Sequence, residues 1–112
     1  MRFSLFIQDS PESGAAVASA LGFATAAVAT GHVLRQVFFH GEGVRSARAG
    51  AEQDHDLRAL VALARQQGVP LLACSTWLER LGVVAAGAVQ AGSLGQWCDA
   101  LDDTDRVVSF RA

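Results

Sequence analysis

The stretch "VPLLACSTWLERLGV", Val69 to Val83, runs from a short apolar segment through a cysteine into a helix-start pattern. The segment "VPLLA" is short and wholly apolar, without polar alternation, so it reads as a strand covered on both faces. Thr76 and Glu79 then show the T-x-x-E spacing of a capping box, for a short helix that Gly82 ends. A doubly covered strand feeding a helix is the building unit of a parallel α/β sheet.

The flanking sequence repeats this unit. Arg2 to Gln8 reads as a strand closed by "DSPESG". Ser13 is placed to cap a helix from about Gly14 to Thr30, with Val17, Leu21, Ala24 and Val28 as its apolar stripe and Phe23 beside it. Gly31 stands where a C′ glycine ends a helix. His32 to Phe39 is a second strand, and "HGEGVRSARAGAEQ" reads as a loop. Leu57, Leu60, Val61 and Ala64 mark a helix over Asp54 to Gln67, with acids at its start, Arg65 near its end and Gly68 as its stop. "GAVQAG" is a weak fourth strand. Ser93 and Gln96 repeat the capping-box spacing for a helix through about Leu101, and "RVVSF" is a last strand. The alternation predicts one domain over residues 1–112. Its expected fold is a three-layer α/β/α sandwich with a five-stranded, mostly parallel sheet, flavodoxin-like in general plan.

Composition narrows the functions. The chain is 51% hydrophobic and 18% charged with a net charge of −2, the balance of a globular protein with no electrostatic case for direct nucleic-acid binding. The apolar run "AAVASALGFATAAVAT" is short for a membrane span and broken by Ser and Thr. The start "MRFSLFIQDSPESG" lacks a signal-peptide core, so a cytoplasmic protein is expected. All nine basic residues are arginine, which excludes Schiff-base lysine chemistry and a P-loop lysine. Cys74 and Cys98 form no CxxC pair, and His32, His40 and His55 show no HxH or HExxH spacing. No metal and no cofactor is expected.

Cys74 draws attention by position. It ends a strand, and strand carboxyl ends face the ligand crevice of such sheets. It also precedes a helix start, where free N–H groups favour an anion such as a thiolate. A free cysteine is equally at home packed in a core, and packing is the expectation for Cys98 beside Trp97. Other strand ends should converge on Cys74. They bring Asp9 and Glu42, as paired carboxylates or solvated acids, and His40, as a donor or proton shuttle. Thr76 opens the helix, and Trp77 either roofs the thiol or packs in the core. Arg45, Arg48 and Arg80 form a possible cationic face for an anionic partner.

Four segments together resemble the DsrE/TusD family of sulfur-relay proteins: "MRFSLFI", "GHVLRQVFFHGEGVRSA", "QQGVPLLACSTWLERLGV" and "DRVVSF". The resemblance implies that the residue matching Cys74 carries sulfane sulfur as a persulfide. It implies sulfurtransferase activity between a sulfur donor protein and an acceptor protein, in tRNA 2-thiouridine synthesis or dissimilatory sulfur metabolism. It also implies assembly with homologous subunits or copies of the same chain. The family's longer segment between the cysteine's helix and the fourth strand is compressed here to "VVAAGAVQAGSLG". Two other classes remain open: a structural family member with an inert Cys74, and a flavodoxin-like module binding a small ligand. Against the last stands the lack of a GxGxxG or P-loop pattern.

Overall fold

The computed structural model describes residues 1–111. Its strands are β1 (Arg2–Ile7), β2 (Val33–Phe39), β3 (Leu71–Cys74), β4 (Gln90–Gly92) and β5 (Arg106–Phe110). Its helices are α1 (Ala16–Ala29), α2 (His55–Gln67), α3 (Ser75–Leu81) and α4 (Leu94–Leu101). All strand pairs are parallel, in the order β4-β3-β2-β1-β5. The three-layer α/β/α sandwich expected from the alternation is present.

Strand order distributes the helices. The steps β1 to β2 to β3 all move in one direction, so right-handed crossovers put α1 and α2 on one face, where they pack against each other. The return from β4 to β5 runs the other way and puts α4 on the second face. On the first face, Leu5, Ile7, Val37 and Phe39 are fully buried. On the second, α4 packs over β2, with Trp97 against Phe6 and Phe38 at centroid distances of 5.1 and 5.6 Å. Gln36 lies under the same helix and donates to Ser4 Oγ at 3.0 Å and to the Trp97 carbonyl at 3.2 Å. One eight-residue helix cannot cover five strands, so Phe6 and Leu72 stay half-buried.

Local chemistry explains most boundaries. The Asp54 side chain accepts from the Leu57 N–H at 2.9 Å and caps α2, whose buried residues are the predicted Leu57, Leu60, Val61 and Ala64. Ser93 and Gln96 form the expected capping box on α4. After α1, Gly31 adopts φ +86°, and the His32 N–H reaches back to the Ala27 carbonyl at 2.9 Å.

Three expectations are corrected. Ser13 does not cap α1: residues 11–15 form turns and Ala15 holds the cap position without a side-chain bond. The buried stripe of α1 is Ala16, Val17, Ala20, Ala24 and Ala27, with Leu21 and Val28 half-buried, because small residues let the helix sit close to the sheet. The loop after β2 contains two 3-10 helices, Gly41–Ala47 and Ala51–Gln53. The first presses onto the end of β1, where a Cβ on Gly43 would lie 2.3 Å from the Ile7 carbonyl oxygen. Gly43→Ala is therefore expected to destabilise the protein by about 1–3 kcal/mol, the range for overpacking a filled site. Urea unfolding of the two proteins checks this, and equal midpoints would contradict the close approach.

Candidate active site

The carboxyl ends of the strands form one edge, and register decides which residues meet there. Phe38 and Phe39 pair with Leu72 and Ala73, so the next position along places His40 beside Cys74. Cys74 pairs in turn with Gly92. Ile7 pairs with Phe39, which brings Gln8 beside His40. Neighbours in this row sit about 4.8 Å apart, the spacing of paired strands. Side-chain alternation gives Cys74 the face of Leu72, the face that α4 only partly covers.

Cys74 is the last residue of β3 and at the same time the N-cap of α3, with φ −57° and ψ 117°. The chain turns from strand to helix without an intervening loop. For that reason the predicted Thr76–Glu79 capping box does not form: the helix starts at Ser75, and no side chain caps it. Thr76 is an exposed first-turn residue, and with Glu79 and Arg80 it lines a shallow hollow of about 350 Å³. At the other end Gly82, at φ +67°, closes α3, and the Val83 N–H reaches back to the Leu78 carbonyl at 2.9 Å. Cys74 is 2% exposed. Cys98, expected to pack, is exposed, because Trp97 takes the sheet-facing side of α4 and its neighbour points away.

His40 follows β2 directly. Its N–H donates to the Ile7 carbonyl at 2.9 Å, which fixes its backbone against β1. Its ring stacks on Phe6 at 5.1 Å, and the edge of Trp77 meets it at 5.7 Å. Burial among these rings lowers the His40 pKa below its ordinary 6.5. Trp77 is half-buried, and the exposed Arg80 guanidinium lies over its ring at 4.7 Å from the centroid. Sequence reasoning picked out His40 and Trp77 but missed Phe6 and Trp97 as the shelf beneath them. The signal available was strand alternation, which puts Phe6 and Phe38 on one face.

The charged candidates are differently occupied. Glu42 pairs with Arg45 at 2.7 Å, so its charge is answered within its own turn. Asp9 is half-buried beyond β1 at the same edge. Arg48 pairs with Glu12, and Arg80 lies on Trp77. The expected cationic face of Arg45, Arg48 and Arg80 is therefore largely taken up internally. Among the described residues no group of three or more acids, histidines or cysteines is placed to hold a metal ion. No helix among them is long and apolar enough to cross a membrane.

The compressed segment after α3 is tied down at two points. The Ala86 N–H donates to the Ala47 carbonyl at 2.9 Å, and the Ala88 N–H donates to Glu52 at 3.2 Å. It thus runs under the 3-10 helices before entering β4.

Fold and edge define a class: an α/β sandwich with one buried thiol at the carboxyl end of an inner strand. The chain belongs to the DsrE/DsrF-like family, whose model matches residues 1–110. It is 36% identical over 129 residues to the sulfurtransferase TusD of Enterobacter sp. strain 638, across 98% of this chain and 100% of that relative. It is 38% identical over 110 residues to the TusD sulfurtransferase of Serratia proteamaculans, across 82% and 85% of the two chains. The 129-residue span exceeds the 112 residues present here, so the Enterobacter relative carries residues this chain lacks. Among solved structures, the ychN protein of E. coli matches with a TM-score of 0.81 at 17% identity, over 98% of this chain and 99% of that one. A protein of unknown function from Methanobacterium thermoautotrophicum matches with a TM-score of 0.74 at 20% identity, over 96% and 97%. These two likenesses are of fold.

The neutral form of His40 suits its apolar setting, which gives stability a pH dependence of known sign. The unfolded chain takes up a proton on this ring near 6.5 and the folded chain only at lower pH. The stabilisation is complete above 6.5 and fades as the pH falls toward the lowered folded value. An NMR titration of the His40 ring is expected to give a midpoint below 6.5. A midpoint at or above that value would contradict the packing described.

Proposed function

We propose that this protein is a sulfur carrier that accepts sulfane sulfur on Cys74 as a persulfide and hands it to a protein partner. The observation that carries the reading is the position of Cys74 at the carboxyl end of β3, in a chain whose curated relatives are named sulfurtransferases. In the accepting step the Cys74 thiolate attacks the outer sulfur of a donor persulfide. The new S–S bond forms as the donor's own S–S bond breaks, the donor leaves as a thiolate, and no outside oxidant is consumed. The forwarding step is the same exchange with an acceptor thiolate attacking the outer sulfur.

His40 fits this chemistry as the neighbour one strand away. A neutral imidazole can take the proton from the Cys74 thiol before attack. Asp9, Glu42 and Thr76 sit around the same edge, and none of them is needed for the exchange as written. The reading places the protein in the cytoplasm, where thiols stay reduced. Its partners are a donor protein, an acceptor protein, and homologous subunits or further copies of this chain. The outer side of α1 supports assembly, because Ala18, Gly22, Ala26 and Ala29 leave it apolar, small and exposed. Light scattering over a range of concentrations, alone and with co-encoded homologues, is expected to detect a species larger than one chain. A single-chain mass throughout would remove assembly from the proposal.

A second reading has one observation behind it. Cys74 is 2% exposed, as an inert packing cysteine in a structural subunit would be. Intact-mass measurement after incubation with a persulfide-bearing donor protein separates the two. The carrier reading expects a gain of about 32 Da, one sulfur atom, that Cys74→Ser abolishes and Cys98→Ser retains. No gain on the parent chain, or a gain that follows Cys98, supports the structural reading.

A further inference from the structure

A thiol that is 2% exposed cannot meet a thiolate on another protein until something moves. We infer that Trp77, held down by Arg80, is the shutter over Cys74, and that its displacement, without unfolding of the domain, opens the thiol. The inference rests on the proposed carrier role for its purpose, but its geometry stands apart from it.

Three placements converge on the indole. Trp77 follows Cys74 by three residues, the spacing that stacks side chains on one side of a helix. Long helical side chains lean back toward the N-terminus, so the ground that Trp77 covers lies over the preceding turn, where Cys74 is the cap. The reach of the ring confirms the direction. Its edge meets His40, which stands beside Cys74 across the β2–β3 pairing, so the indole bridges from α3 toward β2 across the cysteine's position. The two layers also differ in exposure: Cys74 is buried while Trp77 is only half-buried, as expected if the ring is the outer one.

The shutter is lightly held. α3 buries one side chain, Leu78, as an anchor behind Trp77. On the solvent side the ring is held by the Arg80 guanidinium at 4.7 Å, three residues further along the helix. Arg80 has no carboxylate partner among the ion pairs of the described residues, and it borders the open hollow with Thr76 and Glu79. An arriving partner that engages Arg80 removes the outer restraint without disturbing the core. Short, lightly packed elements of this kind are where local opening costs least.

Alkylation kinetics test the shutter, with exposed Cys98 in the same chain as the internal reference. In the parent, Cys74 is expected to react far more slowly than Cys98, at a rate nearly independent of urea well below the unfolding transition. Arg80→Ala touches no buried side chain and is expected to raise the Cys74 rate about two- to fivefold, the scale of one exposed cation–π contact. Trp77→Ala is expected to raise it by on the order of tenfold or more, as both ring contacts are lost. In each case the thermal melt shows whether the fold persists. Unchanged Cys74 rates in both variants overturn the inference. So does a parent Cys74 rate that climbs with the full urea dependence of global unfolding. The mass gain on the parent chain is read separately. Its absence with a working shutter defeats the carrier role alone, and its presence with unchanged alkylation rates defeats the shutter alone.

Discussion

The parallel pairing of β2 with β3 is the constraint on which the candidate site depends. A slip of one residue would turn every side chain of β3 to the opposite face, exchanging buried Ala73 with half-buried Leu72 and carrying Cys74 away from His40. Burial on the α1–α2 face resists that slip, since Val37, Phe39 and Ala73 are all fully buried there. The same pairing brings the first turn of α3 level with the end of β2, which is how Trp77 meets His40. The first 3-10 helix locks the neighbouring end of β1 through the close approach at Gly43. The surface ion pairs are minor by comparison. The pairs joining Arg2 and Arg35 to Asp103 and Asp105 are well exposed, and solvent screening leaves such pairs little weight in stability.

Uneven coverage of the sheet links fold to function. The helices α1 and α2 share one face, and the short α4 covers only part of the other. That asymmetry keeps Phe6 and Leu72 half-buried, and alternation assigns Cys74 to their side. A thiol there is shielded in the resting molecule yet close to a surface that another protein can approach. Burial keeps such a thiol, or a persulfide on it, from casual oxidation, which matters because the oxidation ladder beyond sulfenic acid is largely irreversible.

The fold was legible wherever the signal was local. The stripe of α2 and the capping box of α4 rest on contacts within a few residues, and the structure contains both. Cys74 was legible as a strand-end residue because an apolar run and a helix start meet there. What sequence could not supply was non-local. The strand order, the seating of the first 3-10 helix on β1 and the meeting of Trp77 with His40 all join segments far apart in the chain. Two local patterns also misled. Ser13 stood just ahead of an apolar stripe and Thr76 had the T-x-x-E spacing, but α1 begins after a turn and α3 begins directly at Cys74, so neither side chain reached a cap position. Cys98 misled because helical periodicity places Trp97 and Cys98 close in sequence yet on different sides of α4.

The central claim is that one particular thiol carries sulfur, and the arginine-only basic set makes it directly measurable. Cleavage after arginine separates the cysteines, with Cys74 in the fragment 66–80 and Cys98 in 81–106. After loading from a persulfide donor and alkylation to trap the outer sulfur, fragment mapping by mass spectrometry locates it. The account predicts the trapped persulfide on 66–80. Its appearance on 81–106, or its absence from both fragments after loading, would contradict the account.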